Sequence, residues 1–123
     1  MSKISDTINE QTNYNDLPRS DMKIIKIAFD VDGTLRCNCN ETCEDSNQDI
    51  VDLFRILRKF KNTELFVWSG GGASYARRFA ELYKLPIKDN HCISKFNAPQ
   101  MDIAIDDIQA TALGTLNLIV REK

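Results

Sequence analysis

The sequence predicts an α/β fold, a doubly wound parallel sheet flanked by helices. Short apolar runs alternate with segments whose apolar residues recur at helical spacing, which is typical of parallel strands joined by helices. With 123 residues, 42% of them hydrophobic and 28% charged, the chain has room for a single core. Polar residues directly follow the apolar runs, so we expect a functional site at the carboxyl edge of the sheet, where such sheets bind ligands.

Residues 1–21 differ from the rest and are expected to form a flexible polar tail, outside a single domain at residues 22–123. They are rich in Ser, Asn, Asp, Thr and Gln, and their apolar residues follow no sustained period. The chain has no apolar stretch near the ~20 residues of a membrane span and no charged-then-apolar signal pattern at its start. These features predict a soluble, cytoplasmic protein without a membrane partner.

The first strand is predicted at residues 24–30, where the chain is almost continuously apolar. A helix should begin after Ser46, which resembles an N-cap, with Asp49 in its acidic first turn. The apolar stripe of this helix is formed by Ile50, Leu53, Phe54, Leu57 and Phe60. A second strand is predicted at residues 64–68, an apolar run of strand length.

The second helix is predicted at residues 73–84, where aromatic residues and alanines recur at helical spacing. Pro86 should end it, because proline cannot continue a helix. The remaining predicted elements are short strands near residues 91–94 and 102–106, a brief helix at 108–113 that closes at Gly114, and a final edge strand at 116–120.

The segment DVDGTL at residues 30–35 begins at the end of the first predicted strand. Of all segments in the chain, it is the most informative about the reaction that the protein could catalyse. Residues two apart on an extended chain point to the same side, so Asp30 and Asp32 should lie together, and Gly33 lets the chain turn away. Such a pair can share a hard divalent cation, or one carboxylate can attack an electrophile while the other moves a proton. Aspartate and glycine also form ordinary turns, so the pair needs partners elsewhere in the chain.

Three further polar groups follow strand-like runs in order along the chain. Ser69 precedes three glycines that begin at Gly70, Lys95 follows a short apolar run, and Asp106 with Asp107 ends the next one. With this ordered set the chain resembles the haloacid dehalogenase (HAD) superfamily, whose motifs are DxD, a Ser or Thr, a Lys and a terminal acidic pair. The resemblance covers residues 23 to about 120.

This resemblance implies a Mg²⁺-dependent phosphatase with a HAD-like Rossmannoid fold. Asp30 would be the nucleophile that forms an aspartyl-phosphate, and Asp32 the general acid and base. Asp30, the backbone carbonyl of Asp32, and Asp106 would hold Mg²⁺, with Asp107 as a further ligand or an orienting group. Asp106 is the expected direct ligand.

Ser69 and Lys95 would hold the phosphoryl group, and the glycines from Gly70 onward would let backbone N–H groups approach it. Lys88 is the rival for the lysine role, but Lys95 is preferred because it directly follows a strand-like run. Thr34 is expected to support the turn after Asp32. Asp102 is expected to face a neighbouring strand or the solvent edge.

The 36 residues between Asp32 and Ser69 must form a turn, a helix and a strand, which leaves no room for a separate cap domain. In the HAD superfamily caps enclose small substrates, so a capless member suggests a phosphorylated substrate that could be large or macromolecular, or a lid supplied by a second copy in a homo-oligomer. The net charge of −2 does not favour nucleic-acid binding, although a phosphorylated nucleic-acid end stays open. A non-enzymatic binding module on the same scaffold and a phosphotransferase are the alternatives.

The loop after the first motif contains Cys37, Cys39 and Cys43, which could bind zinc with Cys92 or His91 as a fourth ligand. The spacing is not a standard zinc pattern, so incidental reduced thiols are the preferred interpretation. This loop, at residues 36–46, would contribute to specificity. Three residues of the second helix, Tyr75, Arg77 and Arg78, would do so as well if they face the cleft.

Overall fold

The computed structural model describes residues 22–37, 39–107 and 113–121, and the structural statements below concern these ranges. The helices and strands in chain order are β1 (Ile25–Asp30), α1 (Gln48–Leu57), β2 (Thr63–Ser69), α2 (Ala73–Leu82), β3 (Cys92–Ser94), β4 (Met101–Asp106) and β5 (Gly114–Ile119). Short 3₁₀ turns at Asp89–His91 and Lys95–Asn97 flank β3.

The five strands form one parallel sheet in the order β3-β2-β1-β4-β5. The chain moves outward from β1 through β2 to β3, then returns to the other side of β1 for β4 and β5. The strand order therefore reverses between β1 and β4, which is the position where open α/β sheets form a crevice at their carboxyl ends. The predicted Rossmann-like α/β class and its parallel sheet are confirmed.

Both faces of the central strands are buried, which explains why these strands are almost continuously apolar in sequence. Ile27 and Phe29 of β1 point to the face covered by Phe54 of α1 and Phe79 of α2. The opposite face carries a second buried cluster, formed by Ala28, Phe66, Trp68, Met101 and Ala104. Both α-helices in the described ranges pack on the first face, and the predicted helix at 108–113 falls almost entirely outside these ranges.

Helix α1 starts one residue later than predicted and ends earlier. Its N-cap is Asn47 rather than Ser46, whose hydroxyl donates to the Gln48 side chain instead. The helix ends at Leu57, whose carbonyl oxygen lies 2.7 Å from the Thr63 hydroxyl, and the Phe60 carbonyl oxygen is a second acceptor within reach at 2.9 Å. Phe60 therefore lies beyond the helix and is exposed, so its predicted place in the apolar stripe was wrong.

Helix α2 ends at Leu82, before the predicted boundary at 84. Lys84 adopts a left-handed conformation (φ 56°), and the N–H of Leu85 donates to the Ala80 carbonyl at 2.9 Å. This turn satisfies the end of the helix and buries Leu85. The helix thus stops before Pro86 is reached.

The last strand, β5, lies at the edge of the sheet as predicted, although it starts two residues earlier than expected. Its side chains are mostly exposed. None of the helices in the described part of the chain combines the length and apolar character that crossing a membrane would need. The predicted tail at residues 1–21 lies outside the described residues.

Replacing Phe54 by Ala is expected to lower the free energy of unfolding by about 3–5 kcal/mol, because it opens a cavity beneath α1 where Phe54 packs edge-on against Phe29 at 5.1 Å. Urea unfolding measures the change. The control Ile56→Ala lies on the same helix at 53% exposure, and its cost should stay below about 1 kcal/mol. Equal losses for both variants would contradict the packing described here.

Candidate functional site

A cleft of about 510 Å³ opens at the carboxyl edge of the sheet, around the position where the strand order reverses. It is lined by Asp30, Asp32, Ser69, Gly70, Gly71, Lys95, Phe96, Asp106, Asp107 and Leu113. Every residue predicted from the motifs to act in catalysis, phosphate binding or metal binding lies in this cleft. The four segments that contain these predicted residues converge there because parallel strands present their carboxyl ends at one edge.

Lys95 lies between two buried carboxylates at the floor of the cleft. Its Nζ is 3.0 Å from Oδ1 of Asp30 and 2.8 Å from Oδ2 of Asp106, and its side chain is only 13% exposed. The lysine charge offsets the repulsion between two carboxylates that burial would otherwise make costly. Lys88 instead lines a different cleft with Glu64 and His91. The geometry therefore favours Lys95 over Lys88 as the lysine of the site.

Burial and crowding of negative charge raise the pKa values of two carboxyl groups here. Burial, followed by the charge of Asp106, raises the pKa of Asp30 to about 7, although Lys95 opposes the shift. Burial and a hydrogen bond with Asp106 raise the pKa of Asp107 to about 6. For Lys95 burial would lower the pKa, but the hydrogen bond to Asp106 and the charge of Asp30 outweigh it and raise the pKa.

The acidic residues of the cleft are suited to a hard divalent cation. Carboxylate oxygens of Asp30, Asp106 and Asp107 lie within 4.8 Å of one another. Oδ1 of Asp107 is buried and has no hydrogen-bond partner among the described residues, which is costly for a carboxylate unless a cation meets it. Oxygen ligands of this kind are those that Mg²⁺ prefers. Both members of the predicted acidic pair belong to this cluster, so Asp106 is not distinguished from Asp107.

Gly33 allows Asp107 to approach the first motif. It has a left-handed φ of 77°, and a Cβ atom at this position would overlap the Asp107 carboxylate. Glycine is therefore required here both by its backbone conformation and by the space that Asp107 occupies.

Asp32 does not lie beside Asp30 in the way that the extended spacing predicts. The strand ends at Asp30, a turn begins at Val31, and the Asp32 side chain is 55% exposed at the mouth of the cleft. Its Oδ1 accepts a hydrogen bond from the Tyr75 hydroxyl at 2.7 Å and from Arg36 at 3.4 Å. The Asp32 carboxylate is thus outside the cluster formed by the carboxylate oxygens of Asp30, Asp106 and Asp107.

Arg36 contacts Asp32 at the cleft and, like Phe96 in the cleft wall, was not identified as a site residue from the sequence. Its guanidinium is almost fully buried and contacts Asp32 as well as the carbonyl oxygens of Asn40 and Glu41. The sequence contains one weak indication of a role near the site, since Arg36 directly follows the DVDGTL segment. The apolar pattern around Arg36 does not indicate that its side chain is buried.

Ser69 ends β2 with its side chain buried in the cleft wall. Its Oγ accepts a hydrogen bond from the N–H of Gly71 at 2.9 Å, which leaves the hydroxyl hydrogen available for donation. The N–H of Gly72 donates to the Ser69 carbonyl. Two of the backbone N–H groups predicted to bind phosphate are therefore already hydrogen-bonded to Ser69.

The other residues considered for roles near the site have separate partners. Neither Arg77 nor Arg78 is among the residues that line the cleft, and Arg78 forms an ion pair with Glu44. Oδ2 of Asp102 accepts a hydrogen bond from the Lys26 N–H at 2.9 Å, so Asp102 faces the neighbouring strand as expected. Thr34 is fully buried in the turn that follows Asp32.

The cysteines are arranged differently from the expectation of incidental reduced thiols. Cys39 and Cys43 form a disulfide, and the Cys37 thiol lies next to them. Cys92 is buried in the core beneath α2, and His91 pairs with Glu64 at 3.2 Å. Neither Cys92 nor His91 is part of the cysteine cluster, so the predicted fourth zinc ligand was wrong.

Comparison of the chain with protein-family models, with curated proteins and with solved structures finds no match. The fold and the cleft together define a Rossmann-like α/β domain with a buried lysine–carboxylate centre at its strand-order reversal.

The stability of the metal-free protein is expected to fall as pH rises from about 4 to about 7. The pKa values of Asp30 and Asp107 are about 7 and about 6 in the folded state and 3.8 in the unfolded chain, so the folded state binds these protons more tightly. The stabilisation that results is complete below pH 3.8 and is lost as the pH rises through the folded pKa values. Urea unfolding with EDTA at pH 5 and pH 8 measures the difference, and Mg²⁺ should restore stability at pH 8.

Asp30→Asn should remove much of this pH dependence, because the amide does not ionise. The matched control Asp52→Asn changes an exposed carboxylate of α1 and should leave the dependence in place. If the wild-type protein were equally stable at both pH values, the charge crowding inferred for the cleft would be refuted.

Proposed function

We propose that the protein is a Mg²⁺-dependent phosphomonoester hydrolase of the HAD-like, capless type that works through an aspartyl-phosphate on Asp30. The observation that carries this proposal is the buried contact of Lys95 with Asp30 and Asp106 in a cleft shared with Ser69 and Asp107. A nucleophilic carboxylate, a fixed cation, a hydroxyl donor and a cluster of metal-ligating oxygens are the groups that phosphoryl transfer requires.

Asp30 supplies the nucleophile in this mechanism. One of its carboxylate oxygens forms a bond to phosphorus as the bond between phosphorus and the ester oxygen breaks. The carboxylates of Asp30, Asp106 and Asp107 would hold Mg²⁺, which when bound offsets the repulsion between the nucleophile and the phosphoryl oxygens. Lys95 adds a fixed positive charge beside the attacking carboxylate and limits the same repulsion.

Asp32 transfers the proton in the proposed mechanism. Its exposed carboxyl group at the mouth of the cleft donates a proton to the leaving ester oxygen and later takes one from the water that cleaves the aspartyl-phosphate. Hydrogen bonds from Tyr75 and Arg36 to its Oδ1 hold the group in position. A positioned proton donor of this kind contributes roughly 10²–10⁴-fold.

The open cleft favours a phosphorylated substrate with a large leaving group. Residues 31–62 connect β1 to β2 through a loop and α1, and they place no cap domain over the cleft in the described ranges. A macromolecule, or a lid from a second copy of the chain, would then exclude water from the reacting atoms. Substrate identity would be decided at the rim of the cleft.

Hydrolysis of an aryl phosphate with and without Mg²⁺ tests the proposal. Asp30→Asn should lower kcat by roughly 10³-fold or more, since loss of a covalent nucleophile is among the largest single-residue effects known in hydrolases. The matched control is Asp102→Asn, which makes the same change on β4 at a carboxylate outside the cleft, and it should leave kcat unchanged. Beryllium fluoride, which mimics the aspartyl-phosphate, should bind wild type with Mg²⁺ but not Asp30→Asn.

The same samples separate the alternatives. Failure of both turnover and beryllium fluoride binding would overturn the catalytic assignment and support a binding module on this scaffold. Transfer of the phosphoryl group to an added alcohol in preference to water would instead indicate a phosphotransferase.

Phe96 is expected to contact the leaving group. Its ring is 78% exposed, lies beside Gly70 and follows Lys95 directly in the wall of the cleft. Phe96→Ala should raise KM for an aryl phosphate about 2- to 10-fold with little change in kcat, as expected for loss of one aromatic contact worth about 0.5–1.5 kcal/mol.

Acetyl phosphate, which lacks a ring, should show a much smaller change in KM with the same variant. Phe60→Ala removes an exposed aromatic ring that does not line the cleft and serves as the control. An unchanged KM for the aryl ester in Phe96→Ala would exclude this contact.

A further inference from the structure

Residues 37–45, called the cysteine loop below, contain three of the four cysteines and are described except for residue 38. The backbones of Arg36 and Ser46 pair at the base of the loop, and the N–H of Cys37 donates to the Asp45 carbonyl at 2.8 Å. Cys37, Cys39 and Cys43 each offer a sulfur atom, and the three sulfur atoms lie within 4.8 Å of one another. A disulfide requires two of these sulfurs, so the position of the third is not explained by the cross-link.

Hydrogen bonds hold the turn between Cys39 and Cys43 independently of the disulfide. The Asn40 side-chain oxygen accepts from the N–H and the hydroxyl of Thr42 at 3.0 and 2.9 Å. The N–H of Cys43 donates to the Asn40 carbonyl at 3.3 Å. None of these contacts uses a sulfur atom, so we expect the loop to keep its sulfurs close together when the disulfide is reduced.

Two further anchors attach the loop to the domain. The Arg36 guanidinium donates to the carbonyl oxygens of Glu41 at 2.9 Å and Asn40 at 3.3 Å. The hydroxyl of Tyr83, the residue that directly follows α2, donates to the Glu44 carbonyl at 2.8 Å. The ligand atoms are therefore presented by an ordered backbone, which lowers the entropic cost of gathering them around one ion.

We infer that the reduced cysteine loop binds one zinc ion through the thiolates of Cys37, Cys39 and Cys43. Zn–S bonds of about 2.3 Å in tetrahedral geometry place sulfur atoms about 3.8 Å apart, within the spread of these three atoms. The fourth position is open to water. This site is separate from the carboxylate cluster and does not depend on the proposed hydrolase activity.

The chemistry of loading involves two balanced steps. A dithiol reductant transfers two electrons to the Cys39–Cys43 disulfide, which becomes two thiols while the reductant becomes a cyclic disulfide. Binding of Zn²⁺ then displaces the protons of the three thiols into solvent. The disulfide is thus the oxidised, metal-free state of the same loop.

The test uses the full chain, reduced with dithiothreitol, freed of metal with a chelator and desalted without oxygen. With excess Mg²⁺ present to occupy the carboxylate cluster, Co²⁺ is titrated as a spectroscopic probe. Its sulfur-to-cobalt charge-transfer absorption, which reports sulfur ligation alone, should saturate at one equivalent, and Zn²⁺ should then remove it. Cys37→Ser should weaken binding by more than the roughly 10–100-fold that accompanies loss of an outer-sphere partner. Cys92→Ala changes the cysteine buried in the core and should leave the stoichiometry at one.

Thermal unfolding of the reduced protein provides a second readout that does not require a spectroscopic metal. Zn²⁺ should raise the Tm of wild type and of Cys92→Ala by more than that of Cys37→Ser, because the carboxylate cluster is present in all three proteins and only Cys37→Ser loses a sulfur ligand. Absence of stoichiometric binding by reduced wild type would overturn the inference. Binding by Cys37→Ser equal to that of wild type would also overturn it, because the disulfide pair alone would then account for the metal.

Discussion

The contact of Lys95 with Asp30 and Asp106 is the interaction on which the cleft depends. Lys95 lies in the turn after β3, and Asp30 and Asp106 end β1 and β4. The Lys95 side chain therefore connects three separate segments at the carboxyl edge of the sheet. Two carboxylates at this depth would repel each other without the lysine, and the lysine would be an uncompensated buried charge without them. Asp107 leaves an excess of negative charge, which is why the cleft is suited to a cation.

The strand order makes this contact available. Because β1 is central and the chain adds strands first on one side and then on the other, β1 and β4 end next to each other at the carboxyl edge of the sheet. The buried clusters on both faces hold β1 and β4 in register, with Phe29 opposite Ile105. Asp30 and Asp106 are the last residues of β1 and β4, so the pairing of the two strands positions their side chains next to each other.

Asp32 is connected to a different part of the molecule from Asp30. Tyr75 of α2 and Arg36 both contact its carboxylate, and Arg36 also supports the turn of the cysteine loop. A single guanidinium therefore contacts both Asp32 and the cysteine loop. The two aspartates of the first motif thus belong to separate networks, one with Lys95 at the floor of the cleft and one with α2 at its mouth.

The sequence by itself determined the parallel α/β class, the approximate positions of the five strands, and the set of polar residues that follow them. Local periodicity carries this information, because burial on both faces makes strands such as β1 continuously apolar. Only the tertiary structure decided that the Asp32 carboxylate turns away from Asp30, that Arg36 is buried beneath the loop, and that Cys39 pairs with Cys43. Each of these outcomes depends on which side chains meet in space, as with Tyr75 and Asp32 at a separation of 43 positions, and no short-range pattern encodes such a meeting.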